Sequence, residues 1–308
     1  MAMVFPGQGS QAVGMLVELA ALHPVIKATF QEAGAALGYD LWSLVTEGPK
    51  EQLDRTEFTQ PAMLAAGIGT WRAWCAQGGA RPDWVSGHSL GEYSALVAAE
   101  ALLFTDALKI TQFRGRAMQE AVPVGAGGIA AILGIDDHEV EAACQEAAQG
   151  KVVEPVNFNA PGQVVIAGEI GAVQRAIEAA KTRGAKRAVM LPMSVPAHSS
   201  LMLPAAARLR EKLQGIAIAA PRIRYISGVD AQEHSDPDSI RERLARQPAQ
   251  PVHWTGVVRA LLAAGVTRCI ECGPGRVLTP MNKRVEKRSD VTYISIDDPT
   301  TMTNALAG

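Results

Sequence analysis

A serine held between glycines on a sharp strand-to-helix turn is demanding to build, and Gly87-His88-Ser89-Leu90-Gly91-Glu92 has that form. The Gly-x-Ser-x-Gly pattern needs a buried strand before it, a helix after it, and small residues where the turn brings backbone against backbone. Both flanks comply. Pro82-Asp83-Trp84-Val85-Ser86 reads as a turn leading into a short buried strand, and the alanine-rich stretch from Glu92 to Glu100 reads as a helix. With 29 glycines in 308 residues the pattern alone arises by chance, so the setting carries the reading. A serine placed there presents its hydroxyl to a cleft beside the N–H groups that open a helix. Ser89 is therefore the candidate nucleophile.

Around this turn the chain alternates strand and helix. Ala2-Met3-Val4-Phe5 reads as a first strand, and Pro6-Gly7-Gln8-Gly9-Ser10-Gln11 as a glycine-rich turn whose N–H groups can approach an anion. That turn lacks the Gly-Lys-Ser/Thr ending of a phosphate loop and the spacing of a dinucleotide site, so it is read as supplying an N–H to an oxyanion. Helices are expected over His23 to Leu37, Gln60 to Gln77 and Asp106 to Val122.

The pattern then changes. Strands at Ile129–Ile135, Val152–Asn159, Gln163–Ala167 and Ala188–Met193, with helices at Asp136–Gln149 and Gly171–Arg183, give the order β-α-β-β-α-β of a ferredoxin-like unit. Helices at 203–214 and 255–264 and strands at 223–227, 268–272 and 291–296 then return to α/β alternation. The expected fold is α/β: a large domain from residues 1–123 and 197–308, with an inserted subdomain at 124–196. Its sheet is mostly parallel, with the elbow at the strand carboxyl ends.

Composition removes some function classes. The 29 basic and 31 acidic residues nearly cancel, which argues against nucleic-acid binding held by phosphate contacts. No apolar run approaches membrane-spanning length, no secretory leader is seen, and the four scattered cysteines suit reduced thiols, so a cytoplasmic protein is expected. Cys269-Ile270-Glu271-Cys272 stands without a second pair and reads as strand packing, so no metal is expected.

A serine hydroxyl needs a base in hydrogen-bond reach, most often histidine. Of six histidines, His23, His138 and His234 read as surface residues, and His88 adjoins Ser89 on a turn whose neighbours point apart. His198, in Pro196-Ala197-His198-Ser199-Ser200, and His253, in Pro251-Val252-His253-Trp254, remain as equal candidates. Asp106, Asp136 and Asp137 all start or sit within helices, and none makes a persuasive third member of a triad. Arg114 is the single charge on an apolar helix face that also carries Ala107, Ile110, Thr111, Ala117, Met118 and Ala121, whereas Arg116 lies on the polar face. A guanidinium on a buried face must meet an anion, either an internal carboxylate or one carried by a substrate. The serine upstream favours the substrate.

Seven motifs in order now bear on one family. They are Phe5-Pro6-Gly7-Gln8-Gly9-Ser10-Gln11, Thr59-Gln60-Pro61-Ala62, the elbow, Arg114-Gly115, Asn157-Phe158-Asn159-Ala160-Pro161-Gly162-Gln163, Val195-Pro196-Ala197-His198 and Gly273-Pro274-Gly275. In these the chain resembles, over nearly its whole length, the malonyl-coenzyme A:acyl carrier protein transacylases of bacterial fatty acid synthesis. The resemblance implies an α/β-hydrolase-like large domain with a ferredoxin-like insert, Ser89 as nucleophile and His198 as its base. It further implies that the backbone carbonyl at His253 orients the imidazole, although glutamine is more usual than histidine at that position. The N–H groups of Gln8 and Leu90 would form the oxyanion hole, Arg114 would clamp the malonyl carboxylate, and Asn159 would lie near coenzyme A. Gln60 and Met118 are taken with them as substrate-binding residues.

The implied reaction is ping-pong transfer from malonyl-CoA to phosphopantetheinylated acyl carrier protein, with no cofactor. Acyl carrier proteins are acidic, which makes Arg276, Lys283, Arg284, Lys287 and Arg288 a candidate docking patch. Two rival readings make distinct demands. A serine esterase or thioesterase would need a buried acid behind the histidine, and an idle binding subunit would not need serine, histidine and arginine together. A discrete transacylase of a polyketide or malonate-decarboxylase system would differ only in its partner.

Overall fold

The computed structural model describes residues 1–193 and 195–308. In chain order the strands are β1 (Ala2–Phe5), β2 (Trp84–Gly87), β3 (Gly127–Leu133), β4 (Val153–Ala160), β5 (Gln163–Glu169), β6 (Arg187–Met190), β7 (Arg224–Ile226), β8 (Arg268–Glu271) and β9 (Thr292–Ser295). They form a five-stranded parallel sheet of order β7-β2-β1-β8-β9 and a separate four-stranded antiparallel sheet of order β4-β5-β3-β6.

The alternation of side chains along β1 explains its central place. Met3 and Phe5 enter one hydrophobic cluster while Ala2 and Val4 enter another, so both faces of the strand are covered by helices, as a parallel sheet requires. The carboxyl ends of β1, β2 and β8 therefore open toward the same edge. From them run the Gly7–Gln11 turn, the elbow, and the segment leading to Val277 and Leu278, all of which line one cavity. Strands β3, β4 and β5 of the smaller sheet supply Ile129, Asn157, Asn159 and Val165 to the opposite wall. The main chain joins the units: Phe158 N donates to Val252 O at 2.9 Å, and Val252 N to Val156 O at 2.8 Å.

The anticipated helices are present with shifted ends. The helix expected from Gln60 starts one turn earlier and runs Thr56–Ala76. Pro61 signals a helix start, yet here it sits inside a first stretch that is buried on nearly all sides. The strand expected to reach Met193 ends at Met190.

Further helices, among them Leu41–Glu47, Pro237–Arg246, Leu278–Val285 and Pro299–Ala307, lie outside the expected set. Two had a local signature. Asp236 caps Ser239 N at 2.7 Å with Pro237 in the first turn, and Asp298 and Thr301 form a capping box before the last helix. No helix among the described residues is long and apolar enough to cross a membrane.

Candidate active site

The turn after β2 holds Ser89 at φ 52°, a left-handed conformation that costs a non-glycine residue about 1–3 kcal/mol. Packing enforces it. A side chain at Gly91 would stand 2.1 Å from Phe5 O, and one at Gly87 would stand 1.9 Å from the Gly91 carbonyl carbon. Only glycine lets the helix Gly91–Ala98 start this close to β1, and the Ser89 hydroxyl then projects into the cavity, whose volume is about 480 Å³.

Ser89 Oγ lies 2.7 Å from His198 Nε2. The far side of the ring faces main-chain carbonyls: Nδ1 is 2.9 Å from Gln247 O and 3.1 Å from Gln250 O. Carbonyl oxygens only accept, so Nδ1 carries the proton and Nε2 is left bare to accept from the serine. His198 itself sits at φ 69°, with its N–H donating to Pro248 O at 2.7 Å, so the 247–250 turn grips the residue by main chain and ring. Burial, and then the positive charge of Arg114, push the imidazole down to about 3. The imidazole is neutral at rest. Its hydrogen-bond partners include no carboxylate.

The expectation that the carbonyl of His253 orients the imidazole is corrected by this geometry. His253 is the N-cap of the helix Trp254–Ala263, and its carbonyl accepts from Val257 N at 3.0 Å, the first bond of that helix. Its ring stacks on Phe158 at 5.4 Å instead. The carbonyls facing Nδ1 come instead from the short 3₁₀ turn Gln247–Ala249 and from Gln250, which caps it. His234 also departs from its surface reading, since its side chain is 9% exposed and held between Asp230 and Ser239.

Arg114 is 2% exposed and projects from the helix Phe104–Glu120. Gly115 makes this possible: a Cβ there would be 2.6 Å from Thr56 O, so only glycine allows the close helix contact that sets Arg114 beside Gln60. Nη1 donates to Gln60 Oε1 at 2.9 Å, and Nη2 to Gln247 Oε1 at 2.9 Å and to Ser89 Oγ at 3.3 Å. Nε is buried with no partner. Among the described residues no carboxylate forms a salt bridge with Arg114. A buried guanidinium held only by neutral oxygens is an incomplete arrangement that an incoming anion completes.

The remaining expected residues divide. Met118 lines the cavity, with Val165, Leu191 and Met281 as further apolar wall. Gln60 does not: it is fully buried behind Arg114, with Nε2 3.6 Å from Met118 Sδ, so it holds the arginine and leaves the cavity to others. Asn159 lines the cavity, and its Oδ1 lies 2.8 Å from His88 Nε2, so His88 turns to the asparagine and away from Ser89. Gln8 and Leu90 both line the cavity, and neither N–H has a hydrogen-bond acceptor among the described residues.

Behind Ser89 lie two residues to which no role was attached. Glu92 is fully buried, receives hydrogen bonds from Tyr225 Oη and, at 2.7 Å, from Gln247 Nε2, and is pushed up to about 7 by burial. Gln247 had no sequence signal, being 133 residues from the arginine it contacts.

The anticipated basic patch is partly neutralised. Arg276 pairs with Asp297 and Asp298, and Arg288 with Asp290, while Lys283 and Lys287 are exposed. Cys269 and Cys272 are buried, with Asn282 Nδ2 3.6 Å from the first sulfur and Gly67 O 3.6 Å from the second.

Comparison with known proteins identifies the family of the chain. The chain matches the family described as acyl transferase domain over residues 2–296. It is 51% identical over 305 residues to the malonyl CoA-acyl carrier protein transacylase of Salmonella typhimurium, covering 99% of this chain and 98% of that one. It is 43% identical over 306 residues to the corresponding Bacillus subtilis protein, covering 99% and 96%. Among solved structures, an acyl-carrier-protein S-malonyltransferase from Burkholderia pseudomallei superposes with a TM-score of 0.96 at 50% identity, covering 100% and 99%. A malonyl-transacylase in complex with a type II polyketide synthase acyl carrier protein superposes at 0.97 and 48% identity, covering 99% and 98%.

Proposed function

The chain belongs to the acyl transferase domain family, and we propose that it carries a malonyl group from malonyl-CoA to acyl carrier protein with Ser89 as the atom-transfer point. The single observation that carries the malonyl reading is Arg114, buried, without a carboxylate, and 3.3 Å from the nucleophile.

The reaction runs in two halves. Ser89 Oγ attacks the thioester carbonyl carbon as its proton passes to His198 Nε2, and the oxyanion is received by the free N–H groups of Gln8 and Leu90. The C–S bond then breaks, and coenzyme A leaves with the proton from His198. In the second half the phosphopantetheine thiol of acyl carrier protein gives its proton to the same nitrogen as its sulfur attacks the ester carbonyl; the C–O bond to Ser89 then breaks, and His198 returns the proton to Oγ. The two carbonyls on Nδ1 support the imidazolium that forms each time.

Arg114 adds a further effect. Its charge holds the imidazole's proton affinity down in the empty site, and a malonyl carboxylate seated on the guanidinium cancels part of that repulsion, so His198 becomes a stronger base when the correct acyl group is bound. The esterase reading calls for an acid behind the histidine, a place taken here by two main-chain carbonyls. A polyketide or malonate-decarboxylase role differs only in the carrier.

We read the smaller sheet with its two helices as ferredoxin-like, on the support of its strand order and its β-α-β-β-α-β sequence, and the larger unit, residues 1–123 and 197–308, as hydrolase-like around the elbow. Four free cysteines fit a cytoplasmic setting. The exposed Lys283 and Arg284, in the last turn of the helix whose Met281 lines the cavity, and Lys287 just beyond it are the parts of the basic patch left for an acidic carrier; Arg284 meets only the neutral Gln163 Oε1.

Intact-mass measurement after brief mixing with malonyl-CoA tests the reading. One malonyl adduct on the wild type, absent in Ser89→Ala and discharged by phosphopantetheinylated acyl carrier protein, is expected. Free malonate without an adduct would reassign the protein as a hydrolase.

A further inference from the structure

The Gln247 side chain sits between two buried ionisable groups of the site, Glu92 and Arg114. Its main-chain oxygen holds His198, and its amide makes a separate set of contacts. Nε2 donates to Glu92 Oε1 at 2.7 Å and to Ser89 O at 2.9 Å, and Oε1 accepts from Arg114 Nη2 at 2.9 Å. A guanidinium only donates, and the facing Glu92 oxygen accepts, so the amide's orientation is set from both ends.

A carboxylate and a guanidinium this deeply buried would ordinarily close on each other. Here the amide stands in the way. Gln60 offers the same kind of neutral oxygen to Nη1, so both terminal nitrogens are aimed without being neutralised. An isosteric glutamate at 247 would place an anion on Nη2 and complete the pair internally.

We infer that the Gln247 side chain is a specificity-determining positioning residue: it aims Arg114 through a neutral oxygen and holds the Glu92 carboxyl off the guanidinium, leaving that charge for the carboxylate of the acyl group. The inference rests on the malonyl reading above.

Two variants test it, assayed for kcat and KM with malonyl-CoA and for acyl-enzyme formation from saturating acetyl-CoA by intact mass. Gln247→Glu is expected to raise the malonyl-CoA KM by about tenfold or more and to lower the ratio of malonyl to acetyl loading by a similar factor. Gln247→Met removes the acceptor without adding charge. It should raise the malonyl KM about three- to tenfold and lower the malonyl-to-acetyl loading ratio, because the neutral acceptor that aims Arg114 is gone.

A merely structural role would slow both acyl donors by one factor, and that result, or an unchanged malonyl-to-acetyl ratio, overturns the inference. If Gln247→Glu does not fold, the ratio in Gln247→Met decides alone. Failure of the malonyl reading itself is distinguishable, since the wild type would then form no malonyl adduct.

Discussion

Replacing Arg114 by alanine separates the two effects assigned to its charge. A carboxylate seated on the guanidinium accepts charge-assisted hydrogen bonds, each contributing about 1.5–3 kcal/mol. Removing the arginine would lose two such bonds and leave a carboxylate in a cavity whose apolar lining includes Met118, Val165 and Leu191. The loss is about 3–6 kcal/mol, or roughly 10²- to 10⁴-fold in kcat/KM for malonyl-CoA. Acetyl loading has no carboxylate to lose and should hold steady.

The second effect concerns pH. With the positive charge gone, the imidazole of His198 rises from about 3 toward its ordinary value. A base with a raised pKa stays protonated to higher pH, so the acid limb of acetyl loading must move upward in the variant. Stopped mixing followed by intact mass, run from pH 4 to pH 8 with both donors, measures both quantities. Equal losses for malonyl and acetyl would reduce Arg114 to a packing residue, and an acid limb that stays in place would refute its influence on His198.

Two further perturbations address the frame around the site. Gly91→Ala would set a methyl 2.1 Å from Phe5 O, a contact with backbone that cannot yield, so a loss of about 3 kcal/mol or more is expected in urea unfolding, together with loss of the adduct; a near-wild-type midpoint would contradict the packing account. Glu92→Gln probes linkage. The folded state raises Glu92 from 4.5 to about 7, so its contribution is fully present below pH 4.5 and is lost as pH rises through 7, on the order of 3 kcal/mol in all. The stability of Glu92→Gln relative to wild type should therefore grow between pH 5 and pH 8, and a difference independent of pH would argue against a buried proton on Glu92.

Features built from neighbours in the chain are the legible ones, because local geometry dictates them. The elbow is legible because its strand, its turn and its helix are consecutive and its glycines answer clashes within one turn of chain. The smaller sheet is legible because four strands and two helices follow one another between residues 127 and 190. Arg114 stands out because one charge on an apolar helix face is a local anomaly. The helices at 237 and 299 carried aspartate caps that could have been read in the same way.

Tertiary structure alone decided the remainder, since the deciding contacts join residues far apart in sequence. His198 and His253 are equivalent as loop histidines, and only folding brings the first to Ser89, 109 residues away, while a helix consumes the carbonyl of the second. The orienting carbonyls belong to a turn 49 to 52 residues beyond the imidazole, and a main-chain oxygen leaves no mark in a side-chain pattern. Gln60 and Gln247 are ordinary polar residues in sequence. They become a neutral cradle for a buried charge only where two helices and a 3₁₀ turn converge, because burial makes the difference between an amide and a carboxylate decisive.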